Sequence, residues 1–240
     1  MFRRLSLLLA ATVVVLAGCA PGEARDGELT VFAAASLTGT FTELGAAFEA
    51  EHPGVRVRFN FGSSATLAQQ IAQGAPVDVF ASASPATMKA ATDAKAVTFA
   101  RNRLRIAVPV ANPAGVDELA DLADPRVKVA LCAEQVPCGA AAVKALESAG
   151  VKVTPVTLER DVKATLTKVE LGEVDAALVY RTDVAAAAGR VTGIDFPEAA
   201  QAVNDYPIAA LTAGPAAEFV ELVRSERGRD VLTRAGFEVP

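Results

Sequence analysis

Tryptophan is absent from this 240-residue chain, tyrosine occurs twice, and aromatic residues of all kinds make up only 5%. So little ring surface argues against a stacking platform for sugars or bases. Histidine occurs once, as His52 in Glu51-His52-Pro53-Gly54, a turn after a helix, and no Gly-x-Ser-x-Gly motif is present. A secreted serine hydrolase would need a second histidine or a serine–lysine pair on one element, and neither is found. Basic blocks are missing too: 23 Lys+Arg against 28 Asp+Glu give a net charge of −5. Nucleic-acid binding requires Lys/Arg clusters that displace counterions, so that class is excluded. There is no P-loop, no dinucleotide fingerprint and no repeat with a period of 20–50 residues. What is present is 52% apolar and 21% charged sequence, too hydrophobic for disorder. These figures describe a compact, Ala/Val-rich α/β protein that handles something small.

The N-terminus sets the compartment. Met1-Phe2-Arg3-Arg4 is a short basic region, and Leu5 to Leu16 is an apolar run shorter than the roughly 20 residues needed to span a bilayer. Leu16-Ala17-Gly18-Cys19 resembles a bacterial lipobox. Residues 1–18 are therefore expected to be a lipoprotein signal peptide, Cys19 the lipid-modified first residue, and residues 19–28 a tether. A transmembrane anchor or an ordinary cleaved signal with an incidental cysteine are the alternatives. Outside the cytoplasm, Cys132 and Cys138, an isolated pair six apart, point to a disulfide. A zinc site would need about four ligands, and a redox protein would usually carry a tighter C-x-x-C.

Short β-branched runs alternate with amphipathic stretches from Leu29 onward. Strands are expected at Leu29–Ala33, Val55–Phe59, Val77–Phe80, Leu104–Pro109, Val127–Leu131, Val153–Val156, Ala176–Tyr180, Val191–Phe196 and Pro207–Leu211. Helices fill the gaps, including Pro85–Ala91, Val116–Leu122, Ala140–Ser148, Val162–Leu171, Ala216–Arg224 and Gly228–Arg234, with a Thr40/Glu43 capping box opening the first. The pattern implies parallel sheets flanked by helices.

Four strand-to-helix turns are candidates for chemistry: Ala34–Thr38, Phe61–Thr66, Val136–Gly139 and Arg160–Lys163. Helix starts present free N–H groups and the positive dipole end, so several converging on one crevice could hold an oxyanion. For any single turn, simple helix capping by Ser and Thr is the better explanation.

The longer sequence around these turns is more specific. Thr30-Val31-Phe32-Ala33-Ala34-Ala35-Ser36-Leu37-Thr38, Ser63-Ser64-Ala65-Thr66-Leu67-Ala68-Gln69-Gln70-Ile71, Gly74-Ala75-Pro76-Val77-Asp78-Val79-Phe80 and the closing Gly236-Phe237 resemble the periplasmic molybdate-binding proteins of ABC transporters. The resemblance runs in order from about Leu29 to Phe237. It implies a two-lobed type II periplasmic binding protein fold, each lobe a mainly parallel sheet flanked by helices, joined by two crossing strands. Domain one is expected at residues 29–105 plus 209–240 and domain two at 106–208.

By motif, the resemblance makes Ser36, Ser64, Cys138, Val162 and Tyr180 the ligands of molybdate or tungstate, acting through the ion's oxygens with no direct metal bond. Ser36 and Ser64 would donate through hydroxyl and amide, Cys138 and Val162 through amides, and Tyr180 through its hydroxyl. Cysteine at 138 departs from the alanine common in the family, and the lipobox departs from a freely diffusing receptor. The resemblance further implies a monomer, no cofactor, no enzymatic activity and an ABC permease as partner, while the lipobox-like stretch implies a lipid anchor on the outer side of the cell membrane.

Physical reasoning runs the same way. Neutral donors spread a dianion's charge over several bonds, each about 1.5–3 kcal/mol with a charged acceptor. A cationic partner would not remove the large cost of burying the ion. Donor spacing would separate molybdate from the smaller sulfate, and a cleft of donors alone would reject protonated phosphate. A receptor for sulfate or an organic carboxylate is the alternative, although carboxylate sites commonly use arginine. Asp78 is expected to be structural. Arg101, Arg103 and Arg105 are either a solvated face or a steering field, and Glu221, Arg224, Glu226 and Arg227 an ion-paired helix surface.

Overall fold

A computed structural model describes residues 27–240; the expected leader 1–18, Cys19 and the tether as far as Asp26 lie outside the described residues. Strand β1 (Glu28–Ala34) begins inside the expected tether and occupies the interior of a five-stranded sheet because both its faces are apolar. Leu29, Val31 and Ala33 join one hydrophobic cluster, and Phe32 joins a smaller one on the other face. Strands β2 (Arg56–Gly62) and β3 (Val79–Ala81) pair with β1 in parallel, in the alternation that leaves Arg56 and Arg58 exposed. Strand β4 (Val97–Asn102) forms the far edge, separated from β3 by an antiparallel strand that returns from the other lobe.

Helix α1 (Thr38–Glu51) buries Phe41, Leu44 and Phe48 against this sheet, while α2 (Ser64–Ala72) and α3 (Pro85–Ala91) cover the opposite face with Leu67 and Met88. Thr40 lies within α1, where its hydroxyl donates to Leu37 O at 3.0 Å, so the expected capping box does not form. Glu43 reaches instead to Arg234.

The second lobe repeats the plan. Strand β5 (Leu104–Pro109) enters it, followed by β6 (Val129–Cys132), α4 (Pro137–Ala149), β7 (Thr157–Glu159), α5 (Val162–Glu170), β8 (Ala176–Tyr180), α6 (Arg181–Ala186) and β9 (Val191–Ile194). Strand β10 (Asn204–Ala210) then returns to the first lobe, where α7 (Pro215–Arg224) and α8 (Glu226–Arg234) pack on the large cluster. The sheet orders are β2-β1-β3-β10-β4 and β7-β6-β8-β5-β9. In each, the strand that has just crossed from the other lobe is antiparallel and lies second from an edge. The mainly parallel, two-lobed architecture is thus present.

Three expectations shift. The crossover falls at Arg103, between β4 in one sheet and β5 in the other, and the return falls just before Asn204. The chain thus changes sheets at 103 and at 203, within a few residues of the expected boundaries at 105/106 and 208/209. The strand expected at Val153–Val156, where Pro155 has no N–H to offer a ladder, does not form, and β7 follows it at Thr157–Glu159. The helix expected at Val116–Leu122 shrinks to a single 3-10 turn at Leu119–Ala123.

Candidate functional site

The two lobes meet around a hollow at the C-terminal ends of strands from both sheets, where ligands of open α/β sheets commonly lie. Ser36 follows β1, Ser63 and Ser64 follow β2, and Ala83 follows β3; from the second lobe come Cys138 at the start of α4, Asp161 and Val162 at the start of α5, and Tyr180 at the end of β8. All five residues singled out by motif line this one hollow. Its volume, about 20 Å³ of room for the centre of a water-sized sphere, suits one compact guest. Neither lysine nor arginine lines it among the described residues.

Each donor is held by something specific. Ser64 Oγ accepts a bond from Ala83 N at 2.9 Å, which occupies its acceptor side and leaves its own proton to donate. Ser36 Oγ lies 2.9 Å from the Tyr206 hydroxyl. Burial pushes the Tyr206 pKa well up, so this phenol stays protonated and can donate to Ser36 in turn. Cys138 and Val162 stand in the first turns of α4 and α5, whose N–H groups have no carbonyl four residues back within the helix. The Asp161 carboxylate caps α5 by accepting from Ala164 N at 2.9 Å.

The Cys138 turn is tightly built. A disulfide joins Cys132, the last residue of β6, to Cys138, with Cα atoms 5.8 Å apart. A side chain on Gly139 would place its Cβ 2.0 Å from Ala133 O, so only glycine lets the chain fold back this closely. Asn204, on the returning strand, donates to Ala83 O at 2.9 Å and to Pro137 O at 3.4 Å. One buried amide thus touches the Ser64 side and the Cys138 side of the hollow.

Tyr180 is 1% exposed, and its hydroxyl, which lies near that of Tyr206, makes no well-formed hydrogen bond among the described residues. Burial above all, then the neighbouring Tyr206 and Asp183, raises its pKa, so it too remains an O–H donor. Its backbone N–H donates to Asp183 Oδ2 at 3.2 Å, and Lys163 Nζ lies 3.0 Å from the other carboxylate oxygen.

Sequence reasoning missed four residues here. Tyr206, Asn204 and Asp183 act behind the hollow and carry no motif. Ser63, beside Ser64, is 7% exposed, lines the hollow and has an unpartnered hydroxyl among the described residues; the Ser63-Ser64 doublet was its only signal. The other tempting residues find structural work. Asp78 accepts from Thr30 N and from the Thr212 hydroxyl, His52 stacks on Phe48 and pairs with Glu218, and Arg224 pairs with Glu221. Arg101, Arg103 and Arg105 pair with Asp205, Glu238 and Asp195 around the crossover. No cluster of metal-ligating side chains occurs among the described residues, and none of their helices is long and apolar enough to cross a membrane.

Comparison with known proteins agrees with this architecture. A sequence model for bacterial extracellular solute-binding proteins matches residues 29–238. A Mycobacterium bovis protein named molybdate-binding protein ModA is 39% identical over 250 residues, spanning 98% of this chain and 96% of its own. A Bacillus subtilis protein named putative ABC transporter substrate-binding lipoprotein YvgL is 32% identical over 259 residues, 99% of each chain. Among solved structures, a periplasmic molybdate-binding protein of Azotobacter vinelandii superposes with a TM-score of 0.74 at 22% identity, covering 88% of this chain and 99% of that one. That last likeness speaks to the fold.

Proposed function

The chain belongs to the family of bacterial extracellular solute-binding proteins, and from that premise we propose that it captures molybdate, or tungstate, between its lobes and delivers it to the permease of an ABC importer. The observation that carries this reading is the buried Tyr180 hydroxyl, which makes no well-formed hydrogen bond among the described residues and shares one small hollow with Ser36 and Ser64 of the other lobe and with no cationic side chain. An oxyanion supplies the missing acceptor. Ser36 and Ser64 donate from the first lobe, the Cys138 and Val162 amides and Tyr180 from the second, so only the closed form offers every bond. The protein makes and breaks no covalent bond in its cargo, needs no cofactor and acts as a monomer.

Titration calorimetry with molybdate, tungstate, sulfate and phosphate tests the reading. Molybdate and tungstate should bind, with sulfate and phosphate much weaker. Tyr180→Phe should weaken molybdate binding by about 1–3 kcal/mol. Equal affinity for sulfate would instead support the alternative receptor.

The same proposal places the protein outside the cytoplasmic membrane, held by a lipid on Cys19. It is supported by the lipobox-like Leu16-Ala17-Gly18-Cys19 and by the relative named as a lipoprotein. Metabolic labelling with a radioactive fatty acid should mark the wild type and not Cys19→Ala; equal labelling of the two, or none in either, would exclude the anchor.

A further inference from the structure

We propose that Ser63 is an additional hydroxyl ligand of the bound oxyanion, beyond the five residues that the motifs single out. The inference rests on the anion-binding reading of the hollow and extends its donor set. Ser63 is the N-cap residue of α2, with φ −59° and ψ 129°, a position where a serine oxygen ordinarily accepts from an N–H of the first helical turn. Here it makes no such bond. Its neighbours behave otherwise. Ser64 Oγ accepts from Ala83 N, Ser82 Oγ donates to Ser84 O, and Ser84 Oγ accepts from Thr87 N in capping α3.

Ser63 Oγ is buried, has no partner among the described residues, and belongs to a residue that lines the anion hollow. Leaving a buried hydroxyl without a partner is costly. Forgoing the available cap as well makes sense for a group whose partner arrives with the ligand. Tyr180 is in the same condition on the facing lobe. A fully deprotonated tetrahedral oxyanion offers oxygens in several directions and can accept from both hydroxyls at once. With Ser63 included, the first lobe presents three serine hydroxyls to the ion.

Calorimetry with molybdate on the full mature chain, comparing wild type with Ser63→Ala and Ser63→Gly, tests this. Glycine is tolerated at an N-cap, so the second variant removes the hydroxyl while keeping a competent helix start. Both variants should bind molybdate about 10- to 100-fold more weakly. Their ligand-free melting temperatures should equal or exceed that of wild type, because an unsatisfied buried group has been removed. Wild-type binding with both variants within twofold of it would overturn the role of Ser63. A lower melting temperature for Ser63→Ala with unchanged affinity would overturn it in favour of helix capping. Wild type that binds no molybdate would instead overturn the underlying reading.

Discussion

Asp183 has no exposed surface, yet it carries a carboxylate that accepts from the Tyr180 N–H and faces Lys163. Burial raises its pKa above the usual 3.8, and the lysine pulls in the opposite direction without cancelling the effect. A raised pKa in the fold means that the native protein binds more protons than the unfolded chain just above pH 3.8. This contribution to stability is therefore full at lower pH and is lost as pH rises through the folded value. Asn at this position keeps an oxygen for the Tyr180 N–H and does not titrate. The Asp183→Asn variant loses the Lys163 pair, but its melting temperature should improve relative to wild type as pH rises from about 4 to 7. Parallel thermal melts across that range check the sign. A gap independent of pH would show that Asp183 ionises as it does in the unfolded chain. Arg224 with Glu221 and Arg227 with Glu51 are exposed, and such pairs contribute little.

Legibility differs among the elements. Helices α3, α5 and α7 were readable to within a residue because Pro at the first position, an Asp cap or a steady apolar spacing marks each one. Strand β8 was readable because all five of its residues are buried in an unbroken apolar run. By contrast β4 escaped, since Val97–Asn102 mixes exposed Thr98 and Arg101 with buried Phe99 and Asn102 at the sheet edge. Periodicity also cannot report that a strand has changed sheets. Residues on both sides of Arg103 are strand-forming, and the division shows only in their partners: β4 pairs with β10, β5 with β8 and β9. The five motif residues came through the family resemblance, at helix starts and a strand end, and they line one hollow. The groups behind them were not, because Asn204, Tyr206 and Asp183 matter through packing between segments far apart in the chain. Gly139 belongs to both kinds: it lies in a readable turn, but the backbone approach that requires glycine is visible only in three dimensions.

At the scale of the whole molecule, closure has supports of its own besides the ion. Asn102 Nδ2 donates to the Thr182 hydroxyl at 2.8 Å, and the Tyr180 and Tyr206 rings meet edge to face across the lobes, their centroids 6.1 Å apart. The chain end adds a strap. Glu238 exchanges backbone hydrogen bonds with Arg101 on β4, and its carboxylate pairs with Arg103 at the crossover and Arg181 in the second lobe. Arg181 Nε also donates to Gly236 O, which fixes the residue immediately after Tyr180 to the first lobe. Tyr180 lines the hollow and Tyr206 bonds Ser36, but the groups of the strap stay clear of it, so removing the strap should change how often the lobes are closed and leave the donor spacing intact. Arg181→Ala removes a half-exposed ion pair of small value and one charge-assisted bond to a carbonyl, together about 1–2 kcal/mol in favour of closure. Apparent affinity falls with the closed fraction, so the molybdate Kd should rise by up to about 30-fold. Most of that rise should appear as faster dissociation, with the association rate little changed. The ratio of molybdate to sulfate affinity should stay at its wild-type value, because the hydroxyls and amides that set it are untouched. Stopped-flow kinetics with both ions separates the cases. A changed ratio would mean that Arg181 shapes the hollow itself, and an unchanged dissociation rate would mean that the strap has no part in holding the lobes together.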